Sequence, residues 1–424
     1  MKQISNQPPK GTSDWLPEEF KIRQYIFDTW RKVCQSYGFE EYLTPLVESA
    51  EVYRAKSGED VGGKELVTFK DLGGRELSIR PEMTPSVTRL VSKIYDSYPK
   101  PIKFFSIANY MRNEKPQRGR NREFWQLNFD VFGSESLNAD IEIMQLSLDI
   151  ILAFKAPKKS FVLNINSRKL IDDLFAVLNI KEKNRVEVVR ILDKKEKLSE
   201  KDFDKRLKEV GLSSQSIRTL KIFINAKSLS EIESKIKELK VSVGLLEIKQ
   251  ALSILQKLGY GDYIAFKPGI IRGFDYYDGL VFEVFDNHKD NKRALFGGGR
   301  YNGLAEIFGK KSFSACGCAP GDETTKLFLE SWKLLDKIPD EQEKYYLPII
   351  DKSLESDCQK LAKKLRKDGK LLELGYNEQN IGKALSYADK KSFCKVILLG
   401  SDEKKKKKYK VKDLKTGQES FVKM

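Results

Sequence analysis

Two adjoining segments of this chain hold residues whose types and spacing suit phosphate chemistry. Arg112-Asn113-Glu114 leads into Lys115-Pro116-Gln117-Arg118-Gly119-Arg120-Asn121-Arg122-Glu123, a hairpin-like loop with four cations and one glycine. Arginine forks hold oxygen anions bidentately, so such a loop can clamp phosphates. The next segment, Phe124-Trp125-Gln126-Leu127-Asn128-Phe129-Asp130-Val131, alternates with period two. Trp125, Leu127, Phe129 and Val131 fall on one face, and Phe124, Gln126, Asn128 and Asp130 on the other. The first face is core. Alternation alone reads the second as the wet side of an antiparallel sheet. The cationic loop beside it favours a pocket wall instead.

Other candidate chemistry is weaker. Cys316-Gly317-Cys318 is the only close cysteine pair and no second pair follows, so two core thiols fit better than a zinc site. Gly297-Gly298-Gly299 is not followed by Gly-Lys-Ser/Thr and reads as a tight backbone passage, not a phosphate loop. His288 lies in the polar turn Asp286 to Asn291 and reads as inert. It is the only histidine, which excludes any mechanism needing a histidine base plus a histidine ligand.

Pattern sketches the elements that must position these residues. Residues 1–160 mix Gly/Pro turns with short apolar runs. Residues 161–260 carry 21 Lys+Arg and 14 Asp+Glu, with apolar residues at helical spacing (Leu245, Ile248, Leu252, Leu255), and are expected to form a helical insertion. Residues 261–335 return to Gly-rich strands and turns. Residues 336–345, polar and containing Pro339, suit a linker. Residues 346–424 alternate apolar runs with helical segments, the pattern of a small α/β domain.

The whole-chain numbers bound the class. At 424 residues the chain is long enough for two or three domains. A 40% hydrophobic share excludes wholesale disorder. Five cysteines argue against a disulfide framework. No apolar stretch follows Lys2, as a signal peptide would need, and no run approaches the ~20 residues that span a bilayer. A soluble cytoplasmic protein with no membrane partner is expected. The net charge of +16 points toward nucleic acid, an anionic surface or simple solubility.

Arg112-x-Glu114, a basic loop and Phe124 on the next strand resemble motif 2 of class II aminoacyl-tRNA synthetases. From there the chain resembles the histidyl-tRNA synthetase family over nearly its whole length. Phe39-Glu40-Glu41-Tyr42-Leu43-Thr44-Pro45 is similar to motif 1, and Arg80-Pro81-Glu82-Met83-Thr84 to a histidine-site segment. Arg272-Gly273-Phe274-Asp275-Tyr276-Tyr277 is close to that family's RGxDYY element. Phe296 to Leu304 follows it, and Asn380 to Asp389 is similar to the anticodon-binding domain.

The resemblance implies an α+β fold: an antiparallel-sheet catalytic domain (1–160 and 261–335) with the helical insertion at 161–260, and an α/β anticodon-binding domain at 346–424. It implies a homodimer through motif 1, and histidine, ATP and tRNA(His) as partners. Histidine and ATP would give histidyl-adenylate and pyrophosphate, after which the histidyl group passes to the terminal ribose of the tRNA. Arg112 and Arg272 would be catalytic, gripping the α-phosphate from two sides. Glu82, Thr84 and Gln126 would hold the substrate's α-amino group. Asp130 and Tyr277 would pair with the imidazole nitrogens, and Tyr276 and Tyr301 would wall the pocket, with Met83 beside them. Glu114 would accept from the adenine amino group, Phe124 would stack on the ring, and Arg120 and Arg122 would reach the outer phosphates or the tRNA end. Mg²⁺ should accompany ATP; no metal ligand set is assigned to protein side chains. Many family members have Glu where Asp130 stands, one methylene longer.

One departure matters. Motif 3 of class II enzymes ends in an arginine on ATP, whereas this chain reads Gly317-Cys318-Ala319-Pro320-Gly321-Asp322-Glu323-Thr324. Thr324 supplies no cation, so Lys326 or a loop arginine must compensate, or activation is impaired. The rivals are therefore a non-catalytic paralogue, either a regulatory subunit of ATP phosphoribosyltransferase or an RNA-binding protein on the same scaffold. The regulatory subunit typically lacks both the anticodon domain and the RGxDYY element. Charge is unevenly spread: residues 345–424 hold 20 Lys+Arg against 11 Asp+Glu, while 261–344 hold 12 against 14.

Overall fold

The computed structural model describes residues 4–55, 60–193, 195, 198–270, 276–291, 293–338 and 343–424. The chain divides into two compact units, Met1–Ile338 and Pro339–Met424.

The first unit is built on an eight-stranded sheet. Its strands are β1 (Glu40–Glu41), β5 (Ile102–Met111), β6 (Glu123–Phe132), β7 (Phe161–Ser167), β8 (Ile264–Phe266), β9 (Leu280–Asp286), β10 (Ala294–Arg300) and β11 (Ala315–Cys318). Their order is β1-β5-β6-β11-β10-β9-β7-β8, antiparallel except at the two edge pairs. A small sheet of β2 (Val47–Ser49), β3 (Val67–Lys70) and β4 (Glu76–Ile79) has β4 in the middle.

Helix α1 (Pro17–Ser36) starts on a proline at its first position with Glu18 and Glu19 in the first turn, which suit an N-terminal dipole end. It buries Arg23, Ile26, Trp30 and Cys34 at three- and four-residue intervals. Helix α4 (Leu137–Ala153), capped by the Ser136 side chain, is buried nearly all round. These helices cover the apolar face of β6, whose Leu127, Phe129 and Val131 lie in the same core cluster as Ile26, Trp30 and Ile143. Between β7 and β8 run α5 (Arg168–Val177), α6 (Glu182–Asp193), α7 (Glu200–Glu209), α8 (Ser214–Ile224), α9 (Leu229–Lys235) and α10 (Val243–Leu255). The helical block expected from residue 161 thus opens on a strand of the main sheet. It also shares the main core through Leu170, Leu245 and Ile248.

The polar face of β6 lies over a second cluster, which includes Met83, Val87, Tyr110, Phe132, Tyr276, Tyr277 and Tyr301. Cys316 and Cys318 are buried thiols on β11. In β10, a Cβ on Gly298 would stand 2.2 Å from the Gly317 carbonyl oxygen, which explains the glycine run as a close strand passage.

The second unit is a five-stranded sheet of β12 (Lys344–Ile349), β13 (Leu371–Glu378), β14 (Lys395–Leu398), β15 (Lys408–Asp413) and β16 (Glu419–Lys423), ordered β13-β12-β14-β15-β16. The first three run parallel, and β15 and β16 add an antiparallel hairpin. Its helices are α12 (Glu355–Lys367), α13 (Ile381–Lys390) and the short α14 (Ser401–Lys405). Among the described residues no helix is long and apolar enough to cross a membrane.

Candidate active site

At one end of the polar face stands a buried carboxylate. Asp130 is 1% exposed and accepts hydrogen bonds from the Tyr301 hydroxyl at 2.5 Å and from the Asn128 amide. Burial pushes its pKa up to about 7, although both bonds oppose the shift. Tyr301 is pushed above the usual phenol range by burial and by the neighbouring Asp130, so it stays protonated as a donor. Asp130 faces Gly317 in the β6–β11 register, and a Cβ there would lie 1.9 Å from an Asp130 oxygen. The glycine is what makes room for the carboxylate.

Aromatic rings surround this group. The Tyr276 and Tyr277 centroids are 4.8 Å apart, and they lie 5.7 and 6.5 Å from that of Tyr301. Were 276–277 a strand, only one of the two rings could face the cluster. The backbone there is a turn, and both are buried in it. Tyr276 donates to Glu82 at 3.1 Å, and Glu82 is 5% exposed. Met83 fills the same cluster and its sulfur accepts from Thr44 at 3.2 Å. Thr84, also buried, opens helix α3 (Thr84–Ile94). Gln126 reaches Ala319 O at 3.5 Å and bridges to Gly321. The expected amino-acid residues Glu82, Met83, Thr84, Gln126, Asp130, Tyr276, Tyr277 and Tyr301 thus lie along one sheet face and the segments beside it.

The other end is open and cationic. Arg112 follows β5, donates through Nε to Pro81 O at 3.0 Å and lies over the Phe124 ring at 5.0 Å. Phe124 stacks at 5.7 Å on Tyr110. Arg112 and Arg122 line a cavity of about 420 Å³ with Leu66, Val67, Thr68 and Asn113. Within the loop, Arg120 pairs with Glu114 at 2.9 Å and Arg122 donates to Asn113 at 2.6 Å. Glu114, expected on adenine, holds a loop cation in this structure. Arg272 lies outside the described residues.

Thr324 sits in the first turns of α11 (Asp322–Ser331) and its hydroxyl donates to Leu295 O at 2.8 Å and Gly321 O at 3.1 Å. A Cβ on Gly119 of the loop would be 2.9 Å from Leu327 and 3.9 Å from the Thr324 methyl, so the loop lies against this helix. Lys326, one expected substitute cation, lies 3.7 Å from Glu330 on its own helix. Arg293 donates to Gln117 at 2.6 Å, bringing a further cation to the loop.

Several supporting residues escaped the sequence reading. Arg23, buried on α1, pairs with Asp322 and Glu323, and Asp322 accepts from the Trp125 backbone N–H at 3.0 Å. Arg300 holds the buried Asp140 through Nε at 3.0 Å. Arg80 donates to Thr44 O at 2.9 Å and Asn109 O at 2.8 Å, tying the segment around Pro45 to β5. These contacts span tens to hundreds of residues, and local pattern carries no signal for them.

The profile of histidyl-tRNA synthetase matches residues 11–321, and that of the anticodon binding domain matches 342–424. A histidine–tRNA ligase of Leptospira biflexa is 40% identical over 417 residues, covering 97% of this chain and 94% of the relative. One of Pyrococcus furiosus is 37% identical over 420 residues, covering 98% and 96%. A crystal structure of histidyl-tRNA synthetase from a Nostoc species matches with a TM-score of 0.80 at 23% identity, over 99% of this chain and 97% of that one, and speaks for the fold. Kinship along nearly the full length places this chain in the histidyl-tRNA synthetase family.

Proposed function

We propose that this chain joins histidine to ATP as histidyl-adenylate and passes the histidyl group to tRNA(His). The observation that carries the reading is the buried Asp130 carboxylate among Tyr276, Tyr277 and Tyr301, on the same strand face as Phe124, over whose ring Arg112 lies. In the first step a histidine carboxylate oxygen attacks the α-phosphorus. A C–O–P link forms, the α–β phosphoanhydride bond breaks, and pyrophosphate leaves with the electron pair. The protein forms no bond, so its contribution is placement and charge neutralisation. Arg112 grips the α-phosphate from a position fixed by Pro81 O, and by family resemblance Arg272 grips it from the other side. Phe124 stacks on adenine, Glu114 accepts from its amino group, and Arg120 and Arg122 take the outer phosphates. ATP enters as its Mg²⁺ complex. The phosphates themselves supply oxygen ligands for that ion.

Asp130 and Tyr277 pair with the imidazole nitrogens, while Glu82, Thr84 and Gln126 hold the ammonium. An analogue without the ring N–H leaves the buried Asp130 short of one donor beyond Tyr301 and Asn128, a mismatch that costs such sites ~10⁴ in discrimination. In the second step a terminal ribose hydroxyl of the tRNA attacks the acyl carbon and AMP leaves. Residues 346–424 bind the anticodon arm, and 161–260 insert into a catalytic domain of 1–160 and 261–335. The exposed Leu43 (70%) and Leu46 (42%), flanking Pro45, suit a homodimer face. We place the protein in the cytoplasm. Histidine-dependent ATP–pyrophosphate exchange tests the reading: exchange with histidine alone among the amino acids is expected. No exchange would favour the non-catalytic alternative that the missing cation at Thr324 raises.

A further inference from the structure

The start of α11 meets two other segments in a closed ring of contacts. The Thr324 hydroxyl donates to Leu295 O at 2.8 Å, which ties the helix to the first residues of β10. A Cβ on Gly119 would lie 2.9 Å from Leu327 and 3.9 Å from the Thr324 methyl, so the loop tip rests on the same helix. The Arg293 guanidinium closes the ring: it donates to Gln117 Oε1 at 2.6 Å and joins the residue before β10 to the loop. Gln117 is itself fixed. Its backbone exchanges two hydrogen bonds of 2.9 Å with that of Arg120, across a tight turn in which Gly119 takes a left-handed φ of 73°. Arg293 therefore arrives next to this turn from 176 residues further along the chain than Gln117.

The cations around this ring fall into two groups. Arg23 pairs with Asp322 and Glu323, Arg120 with Glu114, and Lys326 with Glu330, so their charge is offset within the protein. Arg112, Arg122 and Arg293 donate instead to neutral oxygens. Arg112 is held by Pro81 O, Arg122 by Glu114 O and Asn113 Oδ1, and Arg293 by Gln117 Oε1. A neutral acceptor orients a guanidinium and leaves its charge for a ligand. Arg112 and Arg122 line the open cavity. Arg293 joins them from outside the loop, with its side chain exposed to an incoming anion. The helix turn beside it offers none of this charge. Asp322, Glu323 and Thr324 bring two acids and a hydroxyl to the start of α11. Positive charge is thus delivered at the start of β10, against the very turn that lacks it. The outer phosphates of ATP gain charge as the α–β bond breaks, and an oriented cation there favours both binding and departure.

We infer that Arg293 binds the terminal phosphates of ATP, and the pyrophosphate that leaves, in the place where Thr324 supplies no cation. The inference rests on ATP being a substrate of this chain. The test uses the full chain in histidine-dependent ATP–pyrophosphate exchange, with KM read for ATP, pyrophosphate and histidine, and thermal melting alongside. Arg293→Ala is expected to raise KM for ATP and for pyrophosphate about tenfold, with histidine KM at the wild-type value. Arg293→Lys keeps the charge without the fork and should fall between the two. Gln117→Ala removes the tether but leaves the cation, so it should raise KM for ATP no more than about twofold. Thr324→Arg added to Arg293→Ala should recover most of the loss. Melting should match wild type for the changes at 293 and 117, where both side chains are exposed. Equal losses in Arg293→Ala and Gln117→Ala would overturn the inference, because the arginine would then be only a latch for the loop. Wild-type KM values for ATP and pyrophosphate in Arg293→Ala would overturn it as well, and a rise confined to Lys326→Ala would assign the cation to α11. A double variant that melts as wild type does without recovering would refute the shared phosphate position. Wild type that shows no histidine-dependent exchange would instead refute the functional reading on which this one stands.

Discussion

The Asp130 end and the Arg112 end of the polar face share two strands, yet they are built on opposite principles. At the Asp130 end buried side chains hold one another: Tyr301 and Asn128 bind the carboxylate, and Tyr276 binds Glu82. Three tyrosine rings cluster beside them, all buried. At the Arg112 end the partners are loop residues that hold one another, as Arg120 holds Glu114. A small substrate that must be told from close analogues needs the first kind of site. A highly charged substrate that arrives with its own ion and must leave as product suits the second, where contacts exchange without unfolding anything.

This contrast can be broken or sharpened by substitution. The largest effect is expected at Asp130. Asp130→Asn should cut kcat/KM for histidine in pyrophosphate exchange by ~10⁴; a loss below tenfold would mean the pocket does not read the ring. Arg112→Ala should lower kcat by ~10²–10³ with KM for histidine nearly unchanged, because its contact strengthens as charge grows on phosphorus. A rise in histidine KM instead would assign Arg112 to the pocket end. Arg120→Ala removes one charged contact at the open end and should raise KM for ATP about tenfold, leaving histidine KM alone. The smallest effect is on stability. The folded-state pKa of Asp130, about 7, lies above its ordinary 3.8, so the folded protein holds this proton more tightly. Its contribution is full below about pH 4 and fades as pH rises toward 7. The Tm of wild type relative to Asp130→Asn should therefore fall by a few degrees across that window. A pH-independent difference would show that the carboxyl is ordinary.

The two ends also differ in how far sequence alone could read them. Period-two alternation exposed Phe124, Gln126, Asn128 and Asp130 as one face, because a strand's geometry is written into every second residue. The cations of the loop were equally plain. The partners of Asp130 were not, since Tyr301 lies 171 residues away and meets it only through strand order. Family resemblance, not pattern, named it. Resemblance, not alternation, put both Tyr276 and Tyr277 at the pocket, and the non-strand backbone there lets both rings be buried in one cluster. The segment 161–167 was merged with the helices because charge density blurs where a short buried strand ends. Arg23 looks like any helix-surface cation until Asp322 and Glu323 are seen against it.

Gly317 has a consequence for anyone who would change what the pocket accepts. Its missing side chain is space lent to the neighbouring strand, so positions 130 and 317 share a single volume and cannot be chosen independently. A longer acid at 130 would have to push further along the pocket, toward Tyr301, since position 317 has nothing left to give up. A neutral, smaller residue at 130 would open a hole that Ala or Ser at 317 could fill. Variation at one site should therefore appear in the company of variation at the other. A library that samples 130 alone explores only the part of the pocket that a bare backbone permits.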